Sequence, residues 1–195
     1  MNLQEIAKYV WENSMVIEFS GNKEWDLDTF SSNWLKDKKV KRLNKAKGLY
    51  WFSVEGISIE DIKNLRKPQE LPKKGADFSR IAKKMENIFG ENIRGIENNE
   101  LVIYNGHASS VFDRVKTYFS LNNNKTSALA LAKYDLSCYK FKLRIFHIGL
   151  LNDNSEDEEN VNKKFLENLL NQKVGRELIE IAWRIEYGWP ILCEK

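Results

Sequence analysis

Apolar residues recur at helical spacing in residues 3–12, where Leu3, Ile6, Ala7 and Val10 fall on one face. Leu27, Phe30, Trp34 and Leu35 do the same in residues 27–39. Both stretches predict amphipathic helices, and Asp26 or Asp28 is placed to cap the second by accepting bonds from its free first-turn N–H groups. The pattern then changes. Residues 48–54, GLYWFSV, are aromatic and β-branched, with Gly48 ahead and Glu55-Gly56 behind, and predict a strand. Two weaker helical stretches follow, near 59–65 and 78–88. Between them two prolines and Gly75 forbid a continuous helix. Region 57–98 reads as an insertion between two strands.

A second strand is predicted over 100–104, ending in Asn105-Gly106, a pair suited to a turn. Ser110 and Asp113 have capping-box spacing, with Asp in place of the usual Glu, and open a helix over about 111–120. A further helix is expected over 126–134. Residues 139–149 alternate Phe141, Leu143, Ile145 and His147 with Lys142, Arg144, Phe146 and Ile148, predicting a third strand. After the acidic stretch 152–159 come helices over 160–171 and 175–187, the last closed by Gly188 and Pro190. The order predicts an α+β fold with a small sheet, treated as one domain over 1–195 with an N-terminal helical extension over 1–47.

Composition leaves this picture intact. The chain has 42% hydrophobic and 30% charged residues, ordinary for a globular protein. No apolar run reaches the ~18 residues of a membrane helix, and MNLQEIAKYV lacks the apolar stretch of a signal peptide, so a cytoplasmic protein with no membrane partner is expected. Cys138 and Cys193 form no metal-binding pair and are expected as reduced thiols. The net charge of +3 says little, but its distribution says more. Lys36, Lys38, Lys39, Lys41, Arg42, Lys45 and Lys47 crowd one segment. They form either a phosphate-binding surface or a solvated helix end and loop. The tryptophans are expected in the core, with stacking on a base as the other reading for one near the basic segment. His147 on its apolar strand reads as a core histidine.

Gly48-Leu49-Tyr50 opens the first strand, and Tyr104-Asn105-Gly106 ends the second. Arg114 stands ten residues after Tyr104, and Tyr118 four after that, on one helical face. Glu180 lies in the last helix ahead of Pro190-Ile191-Leu192-Cys193. In this order the residues resemble the GIY-YIG nuclease superfamily, and its repair-nuclease branch in the Tyr104–Arg114–Tyr118 spacing.

The resemblance implies a small, mainly antiparallel three-stranded sheet flanked by helices. It implies a DNA endonuclease that hydrolyses phosphodiester bonds with Mg2+ or Mn2+ held by Glu180, with Glu177 as the other candidate. Tyr50 would act as general base, Tyr104 would orient water or phosphate with Tyr118 in support, and Arg114 would neutralise the phosphate. His107 stands where the repair nucleases carry lysine, and Cys193 where they carry asparagine. These replacements, and region 57–98 between the motif strands, keep a second reading open: a nucleic-acid-binding or protein-interaction module that retains the fold without catalysis. Separately, Arg114 also reads as a surface residue, and Glu180 as the i, i+4 partner of Arg184.

Overall fold

A computed structural model describes residues 2–20, 46–71, 75–93, 99–119, 129–136, 138–152 and 160–194. Among these, four strands form one antiparallel sheet: β1 (Met15–Ser20), β2 (Gly48–Glu55), β3 (Glu100–Ala108) and β4 (Lys140–His147), in the order β1-β4-β2-β3. The sequence predicts three strands; β1 is the addition. Its six residues MVIEFS are too short to stand out against the helix just before them, and pairing with β4 from Met15↔Ile145 to Ser20↔Lys140 makes them a strand. Six α-helices among the described residues surround the sheet: α1 (Leu3–Glu12), α2 (Ile59–Asn64), α3 (Phe78–Phe89), α4 (Val111–Phe119), α5 (Asn160–Asn171) and α6 (Lys173–Tyr187). The predicted helix over 27–39 lies outside the described residues.

Local chemistry explains several ends. Asn2 and Glu5 make a reciprocal capping box at α1, as Ser58 and Asp61 do at α2, each satisfying N–H groups that have no partner within the helix. Gly188, at φ +97°, ends α6. Of the helix expected over 126–134, the described part is a 3₁₀ turn, Leu131–Lys133, entered from Ala130 in the left-handed region. A run of good helix formers is overridden there by burial: Leu129, Leu131 and Leu136 turn into the core.

β2 is central, and seven of its eight residues are buried because both sheet faces are covered. Tyr50, Phe52 and Val54 face α2, α3 and α4 together with Leu101, Ile103, Phe141, Leu143 and Ile145. Leu49 and Trp51 face α1, α5 and α6 together with Val102 and Phe146. Trp51 and Trp183 sit in that second core, so neither is available to a base. Trp25 and Trp34 lie outside the described residues. His147 is buried, its Nδ1 accepting from Gly149 N at 3.0 Å.

The expected turn at Asn105-Gly106 is absent: β3 continues through both to Ala108, and Gly106 has no positive φ. The pair serves the sheet because β2 runs alongside, with Tyr50 opposite Gly106 and Trp51 opposite Asn105. A bulge occurs instead at Ile103, where the pairing shifts between Phe52↔Tyr104 and Ser53↔Val102. The Ile103 carbonyl accepts a hydrogen bond from Leu192 N at 2.9 Å, tying the segment after α6 to this edge strand.

Candidate functional site

The edge strand β3, the start of α4 and the inner face of α6 surround an open cavity of about 560 Å³. Tyr50, Tyr104, His107, Arg114 and Glu180 all line it, although they come from β2, β3, α4 and α6. The structure therefore brings together five of the six candidate catalytic residues. The side chain of the sixth, Tyr118, lies outside the described residues.

Each arrives for a local reason. Tyr50 is buried, and its ring lies across Gly106. A Cβ at residue 106 would stand 2.4 Å from the Tyr50 hydroxyl and 2.8 Å from Cζ. Only glycine leaves the tyrosine this space. Tyr104 stacks beside Tyr50 with ring centroids 6.4 Å apart, so the two phenols share one side of the cavity. Ser110 precedes α4, its hydroxyl donating to Asp113 Oδ2 at 2.5 Å, and one turn in, Arg114 reaches the same space.

On the other wall α6 presents Glu180 and Arg184, both buried. Arg184 Nη2 donates to Glu180 Oε1, and Arg184 Nε donates to Asn105 Oδ1 at 3.0 Å. The guanidinium also stands 4.5 Å over the Trp189 ring. Glu180 Oε2 faces His107 Nδ1 at 2.6 Å, and Glu177 Oε1, one turn earlier, lies 3.9 Å from His107 Nε2. A chain of contacts thus runs Asn105–Arg184–Glu180–His107. Asn105 Nδ2 is buried with no hydrogen-bond partner among the described residues, a donor left over on a residue that lines the cavity. Cys193 packs under Asn105, accepting from its N–H at 3.4 Å; burial pushes the thiol up to about 12, so it stays protonated.

No family model, curated protein or solved structure matches the chain.

A divalent ion is the cofactor that the sequence resemblance implies, and the donor set admits one of limited kind. Among the described residues no cluster of three or more His, Cys, Asp and Glu side chains is arranged to hold a metal. The Cys193 thiol is protonated, and Glu180 Oε1 is committed to Arg184. Oε2 remains, in contact with His107 Nδ1, which an ion bound there would displace. A single carboxylate oxygen facing an open cavity fits a hard ion that keeps most of its water.

Sequence reasoning passed over Arg80 and Glu194, which also line the cavity, and read Asn105 only as part of a turn and of the motif, with no role in the site. Their places depend on contacts between distant segments, and no spacing announces them. Arg184 carried a signal, the i, i+4 relation to Glu180. Of the seven basic residues from 36 to 47, only Lys47 is described. It is not among the cavity's lining residues: its ammonium donates to Asn171 Oδ1 at 3.0 Å, a cation placed at the C-terminal end of α5. Cys138 is exposed and Cys193 buried, both as free thiols. No described helix is long and apolar enough to cross a membrane.

Proposed function

We propose that this cavity hydrolyses a phosphodiester bond of DNA, and that the chain is an endonuclease of the GIY-YIG type. The observation that carries the reading is the convergence of Tyr50, Tyr104, Arg114 and Glu180, from four separate elements, on one cavity. A scissile phosphate seated there has a permanent planar cation in Arg114 to meet charge growing on its non-bridging oxygens. Tyr50 takes the proton of the attacking water, and Tyr104 holds that water or the phosphate. An ordinary tyrosine ionises near ~10, so this base needs positive charge in the same cavity, from Arg114 or a bound ion, to become usable. His107 donates to the phosphate or accepts a proton, oriented by Glu180. A Mg2+ or Mn2+ ion on Glu180 would supply further positive charge to the phosphate and leaving oxygen.

Plasmid cleavage tests the reading. Purified protein with supercoiled DNA and Mg2+ or Mn2+ is expected to give nicked and linear products, and Arg114→Ala and Glu180→Ala are expected to abolish them. Intact DNA under all these conditions counts against the enzyme, and undiminished cutting by both variants removes the assigned site.

One observation favours a second reading. Both oxygens of Glu180 already have protein partners, as befits a carboxylate that builds the wall rather than one that recruits an ion. On that reading the cavity binds nucleic acid without cutting it, and salt-dependent binding with no cleavage is the expected result.

A further inference from the structure

The cavity has a third wall, built by the region between the two motif strands. Gly75, Ala76, Arg80 and Ile81 line it, the last two from the first turn of α3. Ile81 packs in the core, while Arg80 and Lys84, one turn apart, are exposed. Both cations point at one carboxylate, Glu194, in the segment after α6. Arg80 Nη1 lies 3.5 Å from Oε1 and Nη2 lies 3.4 Å from Oε2, while Lys84 Nζ lies 3.1 Å from Oε1. Lys84 first and then Arg80 hold Glu194 below the usual carboxylate range against the opposing effect of burial.

The geometry is that of an oxyanion seat whose present carboxylate is loosely held. The two Arg80 nitrogens face the two carboxylate oxygens as a fork, the arrangement that also grips a phosphate. Yet both distances exceed the ~2.7–2.9 Å of a well-made charge-assisted bond. A phosphodiester presents two non-bridging oxygens that share one negative charge on a larger tetrahedral centre, and on the reading above its backbone would also pass Arg114 in the same cavity.

We propose that Arg80 and Lys84 form a second phosphate subsite for the nucleic-acid backbone and that Glu194 occupies it until DNA displaces the carboxylate. This rests on the reading of the cavity as a DNA site. It gives the region between the motif strands a task, gripping the substrate beside the reacting phosphate, and makes Glu194 a competitor that binding must push aside.

The test is DNA binding by the full chain, followed by fluorescence anisotropy of a labelled duplex in chelator, across a series of salt concentrations. Arg80→Ala/Lys84→Ala is expected to weaken binding and to make the slope of log Kd against log salt shallower by about 1, the loss of one phosphate contact. Glu194→Gln is expected to tighten binding by about two- to fivefold, the scale of an exposed ion pair. In the Arg80→Ala/Lys84→Ala background the gain from Glu194→Gln is expected to vanish, whereas a general effect of net charge would persist there. If the double variant leaves the slope unchanged, or Glu194→Gln fails to tighten binding while the unaltered chain binds and cuts DNA, the subsite is wrong and the nuclease reading stands. If the unaltered chain binds no DNA at all, both fall.

Discussion

The hydroxyl of Tyr50 lies over Gly106 where any other residue would carry its β-carbon, 2.4 Å from that position. The two are directly paired across β2 and β3, so the space cannot be recovered by sliding the strands. Tyrosine and glycine, though far apart in sequence, form a single steric unit.

Gly106→Ala therefore forces the Tyr50 ring to tilt within a buried site. Overpacking of this kind costs about 1–3 kcal/mol. If Tyr50 is the general base, cleavage falls by at least about 10²-fold, the lower range for losing such a group. Turnover of plasmid DNA and a thermal melt measure the two effects on one preparation. Full-rate cutting by a folded Gly106→Ala protein would remove Tyr50 from the mechanism.

Arg184 and Glu180 form a buried pair, with side chains 5% and 12% exposed. Removing one partner leaves an uncompensated charge, so Arg184→Met is expected to lose about 3–5 kcal/mol of stability. Glu180→Gln/Arg184→Met removes both charges and is expected to recover most of it, because an apolar side chain can replace the pair at little cost. Urea unfolding reads the difference. Neither variant is expected to cut DNA, which separates the stability of this wall from its chemistry.

At Gly48 a Cβ would stand 2.0 Å from the carbonyl oxygen of Phe146 and 2.8 Å from His147 Cα. Both are backbone atoms of the adjacent strand and cannot rotate aside. Gly48→Ala is expected to cost at least about 3 kcal/mol, the upper range of overpacking, by prising β2 from β4. At Gly56 a Cβ meets nothing closer than Asn99 Nδ2 at 3.9 Å, and φ of +78° is the only obstacle, so Gly56→Ala is expected to cost about 1–2 kcal/mol. Equal losses in the two variants would contradict this account.

Burial raises Cys193 from 9.0 to about 12 and Tyr134 from 10.0 to about 12, and it also raises Tyr139. Tyr134 holds its proton to donate to the Ala76 carbonyl at 2.6 Å. Because the folded values are raised, the unfolded chain releases these protons first. The stabilisation is complete below about pH 9 and is lost as pH rises toward 12. The urea midpoint should hold steady from pH 7 to 8.5 and then decline. Cys193→Ala should weaken the first part of that decline and Tyr134→Phe the later part; a midpoint unchanged at pH 11 would show that neither group is protected.

Much of the fold was legible because neighbouring residues decide it. Helical spacing in LQEIAKYVWE, alternation in KFKLRIFH and the breaking power of Gly188 and Pro190 act over a few residues, and the elements occur where those patterns lie. The motif residues were legible for the same reason: Tyr104, Arg114 and their spacing belong to one strand and the helix after it. Other features needed distant partners. MVIEFS is a strand because β4 runs beside it, and Asn105-Gly106 stays extended because β2 does. Helix α6 shows the limit most plainly. Leu178, Ile181 and Ile185 are exposed, while Arg176, Glu180 and Arg184 are buried. Hydrophobicity along the chain ranks single residues by their cost of burial in an apolar medium. In the assembled structure each buried charge has a partner: Leu170 O for Arg176, Arg184 and His107 for Glu180, and Glu180 with Asn105 Oδ1 for Arg184. Sequence determined the helix and its candidate glutamate; tertiary contacts decided which face turned inward, since only they offset the loss of water around those charges.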